Sequence, residues 1–354
     1  PKKIDGADDF LKIISPETPY VSFYSVDSPL SPYLNGKTYQ SFSTNGSLVY
    51  GRDLYEEVNR YSSFGWYVAD KEDFDVIHAH EWLSFGAGIK AKERSGKPLI
   101  AHVHATEFDR SGGGVNQRVY ELEKEGMMKA DKVVAVSNFT KNIIVKHYGI
   151  AEEKIEVVHN GVDFEGQGEE SKIIRMKEMG KKMVLYVGRI TFQKGPDYFI
   201  TAAKKVCERY KNVFFIVAGS GDMEGQIMEQ VAREGISDRV IFTGFLRGEK
   251  LKELYRCADL FVMPSVSEPF GITPLESLVN GTPVLISNQS GSSEVLSHAL
   301  KVDFWDTEEM ASKIICALRY TSLSKCLKEN GQREVFNITW DKAADKLINI
   351  YNQI

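Results

Sequence analysis

The chain has 354 residues, 42% of them hydrophobic and 26% charged, with a formal charge of −5. That length exceeds one ordinary core, so two domains are expected. The acidic balance argues against general nucleic-acid binding, which needs a basic surface, and no apolar run approaches the roughly 18 residues of a membrane span.

Cys207, Cys257, Cys316 and Cys326 all lie in the second half, and none forms a CxxC pair. They read as free thiols of a cytoplasmic protein rather than a disulfide framework. No signal peptide is visible. The chain opens at Pro1, and residues 1–60 lack a clear strand–Gly-loop–helix opening. Segments 25–33 and 41–46 read as loops and short strands. A missing N-terminal portion is therefore expected.

From about residue 50 strands and helices alternate. Leu54, Val58, Tyr61 and Phe64 at helical spacing predict a helix over 54–67. Strands are predicted at 75–80, 98–104, 132–136 and 155–159, with helices near 82–95, 115–129 and 138–148. Asn160-Gly161-Val162-Asp163 reads as a turn, and the polar, Gly-rich 165–170 as an interdomain connection. A second set follows, with strands at 183–187, 213–217, 239–242, 259–263 and 283–286. Its helices lie near 196–209, 223–234, 248–257, 272–280, 306–319 and 340–353. Apolar strands separated by helices imply α/β architecture with parallel sheets covered on both faces. The expectation is two Rossmann-like domains, 1–164 and 165–337, facing a cleft.

Ligands of open α/β sheets bind at the carboxyl ends of the strands. His104, Gly188-Arg189, Gly219-Ser220-Gly221, Gly244-Phe245 and residues 265–268 collect at those ends. In Gly188-Arg189-Ile190-Thr191-Phe192-Gln193-Lys194-Gly195, glycine allows close backbone approach, arginine offers a planar fork and lysine a point charge. Such a loop holds a diphosphate, or is a solvated loop whose cations pair with surface acids. Glu268 and Glu276 bracket a strand-to-helix turn. A helix N-terminus attracts phosphates, so acids placed there suit the hydroxyls of a sugar nucleotide. The plainer reading of Glu276 is a first-turn acid complementing the helix dipole.

His78 with His80, and His102 with His104, share strand faces. Four neighbouring histidines would suit a metal cluster. The alternative, adopted here, places His78 and His102 in the core and His80 and His104 at the strand ends. Asp73-Phe74-Asp75 precedes its strand and lies at the wrong end of the sheet for a metal–diphosphate site.

Glu268-Pro-Phe-Gly-Ile-Thr-Pro-Leu-Glu276-Ser-Leu-Val-Asn-Gly-Thr-Pro-Val resembles the E-x7-E signature of retaining GT-B glycosyltransferases, the group that includes glycogen and sucrose synthases. Gly188-Arg189 with Lys194-Gly195 resembles that family's G-R-x-x-x-x-K-G element, and Asn160-Gly-Val-Asp163 its hinge. Val134-Ala-Val-Ser137 and Ala218-Gly-Ser-Gly221 also fit. His80-Glu81-Trp82 resembles the H-D-W of starch and glycogen synthases, with Glu for Asp. The resemblance covers about residues 75–320. It implies a GT-B fold whose last helix, about 338–354, packs back on the first domain. The implied activity is retaining, metal-independent transfer of a hexose, glucose above all, from a nucleoside diphosphate sugar such as UDP- or ADP-glucose to a carbohydrate acceptor. By position, Glu268 would contact the donor sugar, Glu276 the ribose, and Arg189 and Lys194 the diphosphate, helped by backbone N–H groups of Phe270, Gly271, Ile272 and Thr273. Gly244 and Phe245 would lie near the base, and Gly188, Gly219 and Gly221 complete the nucleotide set. His104 matches the histidine beside the donor sugar.

Family members open with a strand and a Gly-Gly loop, and none is found before residue 50. Gly112-Gly113-Gly114 reads as a flexible cleft loop in mid-domain. Two alternatives follow: a sugar-nucleotide-binding fragment without catalysis, or a GT-B epimerase using Glu107 and Asp109 as acid and base.

Overall fold

The computed structural model describes residues 53–164 and 180–354. The expected opening loops and the 165–170 connection lie outside the described residues. The backbone forms two compact units that divide between Ala101 and His102. Among the described residues the first sheet has four strands, β1 to β4, and the second has six, β5 to β10.

In the first unit, α1 (Leu54–Ser62) and α2 (Phe64–Lys71) precede β1 (Ile77–His80), α3 (Trp82–Ser95) and the start of β2 (Leu99–Val103). The Asp53 carboxylate caps α1, accepting from the Tyr55 and Glu56 N–H groups at 2.8 and 2.9 Å. The single helix expected over 54–67 is broken at Ser63. Ser62 and Ser63 donate their hydroxyls to the carbonyls of Val58 and Asn59, a competition with the backbone ladder that bends helices. Asp73 and Asp75 are exposed ahead of β1, and Asp75 pairs with Lys97 at 3.7 Å. His78 is half-buried rather than a core residue, and His80 is exposed; their rings stack at 4.3 Å.

The second unit begins with the end of β2, α4 (Glu107–Ser111), α5 (Gln117–Lys129), β3 (Lys132–Ala135) and α6 (Asn138–Ile143). The helix expected over 138–148 widens into a π turn, Ile144–Tyr148. β4 (Ile155–Val157) pairs in parallel with β3, Val133 opposite Ile155.

The chain continues through β5 (Lys182–Val187), α7 (Pro196–Arg209), β6 (Val213–Ala218), α8 (Glu224–Arg233), β7 (Val240–Gly244), α9 (Glu249–Cys257) and β8 (Leu260–Met263). Then come α10 (Thr273–Val279), β9 (Val284–Ser287), α11 (Ser292–Val295), β10 (Leu300–Val302), α12 (Thr307–Arg319), α13 (Thr321–Val335) and α14 (Trp340–Tyr351). The strand order is β10-β9-β8-β5-β6-β7, and every pair is parallel. β5 shows why. Val184 and Tyr186 enter one apolar layer with Phe199, Ile200 and Ile314. Met183 and Leu185 enter the opposite layer with Leu254, Leu275 and Leu278. A strand buried on both faces reads as a continuous apolar run.

The chain runs outward one way through β5, β6 and β7, and the other way through β8, β9 and β10. The order therefore reverses between β5 and β8, the place where such sheets open a crevice at their carboxyl ends. Near the C-terminus the Val162 N–H donates to the Ile338 carbonyl at 3.1 Å, and the Phe336 ring stacks on Phe164 at 4.7 Å. All four cysteines are free thiols. Among the described residues no helix is long and apolar enough to cross a membrane.

Candidate active site

The loop leaving β5 is drawn onto the loop leaving β8. Gly195 has φ of +61°, and a Cβ there would collide with the Pro264 carbonyl, so both conformation and contact require glycine. The Val266 N–H donates to the Gln193 carbonyl at 2.9 Å. This stitching brings Lys194 Nζ to 2.7 Å from Glu268 Oε2. Ser265 Oγ donates to the same oxygen at 3.1 Å. Glu268 is 7% exposed. Its backbone is held on β9's outgoing loop, its N–H donating to the Gln289 carbonyl and its carbonyl accepting from the Gly291 N–H, each at 2.9 Å.

Arg189 is exposed on the same loop, and its carbonyl accepts from the Tyr186 hydroxyl at 2.9 Å. Gly188 and Gly219 bring β5 and β6 together: a Cβ on Gly219 would overlap the Gly188 carbonyl. A Cβ on Gly221 would likewise collide with the Ile190 carbonyl. The Gly219 N–H donates to the Gly244 carbonyl at 2.9 Å, which draws in the end of β7. There Phe245 is 61% exposed, with the Arg247 guanidinium 4.8 Å above its ring.

Glu276 lies in the first turn of α10, half-buried. The Tyr255 hydroxyl donates to its Oε2 at 3.0 Å. Burial pushes the Glu276 carboxyl above the usual carboxylate range, against the Tyr255 hydrogen bond and the Lys252 charge. The turn between the two acids is tight. Gly271 lies against Glu268 Cγ and the Met263 thioether. The Thr273 hydroxyl lies 3.8 Å from Met263 Sδ, and Ile272 packs on the apolar layer. Phe270 is 2% exposed, so only its backbone can meet a ligand.

On the other side, His104 leaves β2 half-exposed, its ring stacked on buried His102 at 4.3 Å. Thr106 caps α4 in a capping box with Asp109. Asp109 Oδ1 accepts from Ser267 Oγ at 2.5 Å, which joins this segment to the residue before Glu268. Gly112, after α4, packs on the Phe192 ring. Glu107 accepts from the Asn116 N–H at 3.1 Å and from Arg110 Nε at 3.3 Å. Glu107 and Asp109 are 8% and 1% exposed. The Glu107 carboxylate thus holds Asn116 and Arg110, and that of Asp109 holds Thr106 and Ser267.

A second contact grips the turn from α6. The Ser137 hydroxyl donates to the Pro269 carbonyl, as does Thr140 Oγ1 at 3.3 Å. The Glu294 carboxylate accepts from the Asn138 and Phe139 N–H groups at 2.9 and 2.6 Å and contacts His159 Nε2 at 3.2 Å. The sequence alone marks Asp109 only as a candidate acid/base group and Ser267 only as part of the loop after β8, and it gives no role to Tyr255 or Glu294. The Thr106-x-x-Asp109 spacing is a capping-box signal from which α4 could have been found. Ser267, Tyr255 and Glu294 gain their partners only through long-range packing.

The profile described as Glycosyltransferase Family 4 matches residues 49–165, and that described as Glycosyl transferases group 1 matches residues 168–334. An uncharacterized glycosyltransferase of Methanocaldococcus jannaschii is 32% identical over 79% of this chain and 75% of that protein. The chain belongs to the glycosyltransferase group 1 family. Sucrose-phosphate synthase of Thermosynechococcus elongatus has the same fold, with a TM-score of 0.73 at 22% identity over 87% of this chain and 81% of that one. Anabaena HepE, solved with UDP-glucose, reaches 0.71 at 19% identity over 84% and 82%. The fold of this group 1 member is thus GT-B, and its activity is that of a glycosyltransferase.

The Glu294 contact gives a test of how the turn is gripped. Burial opposes its charge, but His159 and the Asn138 and Phe139 N–H groups outweigh that and hold its carboxyl below the usual range. Its stabilisation is then fully present above the unfolded value of about 4.3. It is lost as pH falls through the lower folded value. Glu294→Gln is expected to cost about 1–2 kcal/mol at neutral pH and to flatten the loss of stability on acidification. Urea melts of the two proteins from pH 7 to 3 read this out, and parallel pH profiles would contradict it.

Proposed function

We propose that this glycosyltransferase is a retaining, metal-independent hexosyltransferase. It moves glucose from a nucleoside diphosphate donor, UDP- or ADP-glucose, to a carbohydrate acceptor such as an α-glucan. The observation that carries the reading is the contact of Lys194 with Glu268 at 2.7 Å where the strand order reverses. In a sugar nucleotide the anomeric carbon and its phosphate are one bond apart. A cation for the phosphate and a carboxylate for the sugar hydroxyls must therefore be close neighbours.

The other groups take roles around that pair. Arg189 and Lys194 bind the diphosphate, with the backbone N–H groups of residues 270–273 beside them. Glu276 accepts from the ribose hydroxyls; a donated hydrogen bond favours its charged form and offsets the burial that opposes it. The exposed Phe245 ring suits a base. His104 lies by the donor sugar. Glucose is supported by the likeness of His80-Glu81-Trp82 to H-D-W, and by the UDP-glucose bound to a protein of the same fold.

In the reaction the bond from the anomeric carbon to the phosphate oxygen breaks, and the acceptor oxygen bonds to the same face. The acceptor proton passes to the leaving phosphate. Arg189 and Lys194 stabilise the charge that develops there, so no metal is required. Glu268 holds the sugar hydroxyls while the bond changes, and no enzyme nucleophile is assigned.

Glu268→Gln is expected to lower turnover by roughly two to three orders of magnitude while affinity for UDP or ADP is retained. Full turnover in that variant would sink the assignment. Transfer measured with excess chelator is expected to continue at the untreated rate; complete inhibition, reversed by a divalent cation, would refute metal independence.

A further inference from the structure

We propose that Asp109 and Ser267 are a positioning pair that fixes His104 and Glu268 relative to each other. The inference rests on the reading that these two residues flank the donor sugar. Neither Asp109 nor Ser267 touches a ligand in that reading.

Asp109 is 1% exposed and takes three hydrogen bonds. Its Oδ2 accepts from the Thr106 N–H at 2.7 Å and the Thr106 hydroxyl at 2.8 Å. Its Oδ1 accepts from the Ser267 hydroxyl at 2.5 Å. Thr106 is two residues beyond His104, and Ser267 is the residue before Glu268. One carboxylate thus joins the segment after β2 to the loop after β8.

Both ends of this bridge are stiff. Behind Asp109, Arg110 pairs with Glu123 and Glu107, and its Nη1 donates to the Ala105 carbonyl at 3.2 Å. Buried Glu123 also receives the Tyr148 hydroxyl and, at 3.0 Å, the Glu107 N–H. A shift of α4 would break this buried, charged network, which is costly. On the far side, the Val266 N–H is bonded to Gln193 and the Glu268 N–H to Gln289. The Asp109–Ser267 bond therefore sets the register between two rigid parts. A displacement of about 1 Å at a reacting centre can cost on the order of a hundredfold in rate.

The test is a mutant cycle of Ser267→Ala, Asp109→Asn and the double variant, with Ser267→Thr as the conservative control. Donor turnover, affinity for UDP and ADP by calorimetry, and melting temperature are measured for each. Ser267→Ala is expected to lower kcat roughly 10- to 100-fold, with nucleotide affinity and melting temperature close to wild type. Ser267→Thr, which keeps the hydroxyl, recovers most of kcat. The double variant is expected to lose no more than the worse single one, because one bond is removed either way. Unchanged kcat in Ser267→Ala, or losses that multiply in the double variant, would overturn the inference. If Asp109→Asn fails to fold, the contrast of Ser267→Ala with Ser267→Thr decides alone. An active wild type with an indifferent Ser267→Ala rejects only the positioning role. A wild type that neither binds UDP or ADP nor turns over a donor rejects the transferase reading and the inference with it.

Discussion

A lysine ammonium held 2.7 Å from a carboxylate that is itself 7% exposed is the interaction on which this site depends. Burying either charge alone costs several kcal/mol, so each secures the other's place. The pair exists only because two loops from opposite sides of the sheet's reversal point meet. That meeting in turn requires Gly195, whose missing side chain admits the Pro264 carbonyl. The sheet supplies the rest of the rigidity. β5 and β8 are buried on both faces, and their carboxyl ends have little freedom to drift.

The turn carrying Glu268 is gripped from two directions. Asp109 reaches it through Ser267, and Ser137 and Thr140 reach it through Pro269. Glu294 adds a carboxylate at the start of α6. Residues between His102 and His159 therefore help to shape a turn that lies more than a hundred residues later. In physical terms the proposed donor site is not the property of one sheet. Its geometry is shared with the segments packed on it, which is how a change remote from the ligand can alter the chemistry.

Much of this was legible in the sequence because buried parallel strands leave long apolar runs. The runs near 183–187 and 213–217 correspond to β5 and β6 within a residue or so. The elements that escaped are those whose signal is short or narrow. α4 and α11 have five and four residues, too few to show a period. β10 has three. α13 buries only Leu327, Gly331 and Val335, a stripe too thin to stand out from a polar helix. Within the site, Glu268 and Lys194 were legible from local motifs. The contacts that Ser267, Tyr255 and Glu294 make with Asp109, Glu276 and the start of α6 were not, because they arise only in the packed fold. Phe270 shows the converse. The motif drew attention to it, yet its ring belongs to the core and only its backbone faces the turn.

The central claim is that Lys194 exchanges Glu268 for a donor diphosphate. Calorimetric titration of UDP and ADP into the wild type, Lys194→Ala and Glu268→Gln tests it most directly. Losing a charged hydrogen bond of about 1.5–3 kcal/mol should weaken binding by at least about tenfold in Lys194→Ala. Glu268→Gln, which frees Lys194 from its partner, should bind as tightly as wild type or tighter. Equal affinity in Lys194→Ala and the wild type would contradict the account.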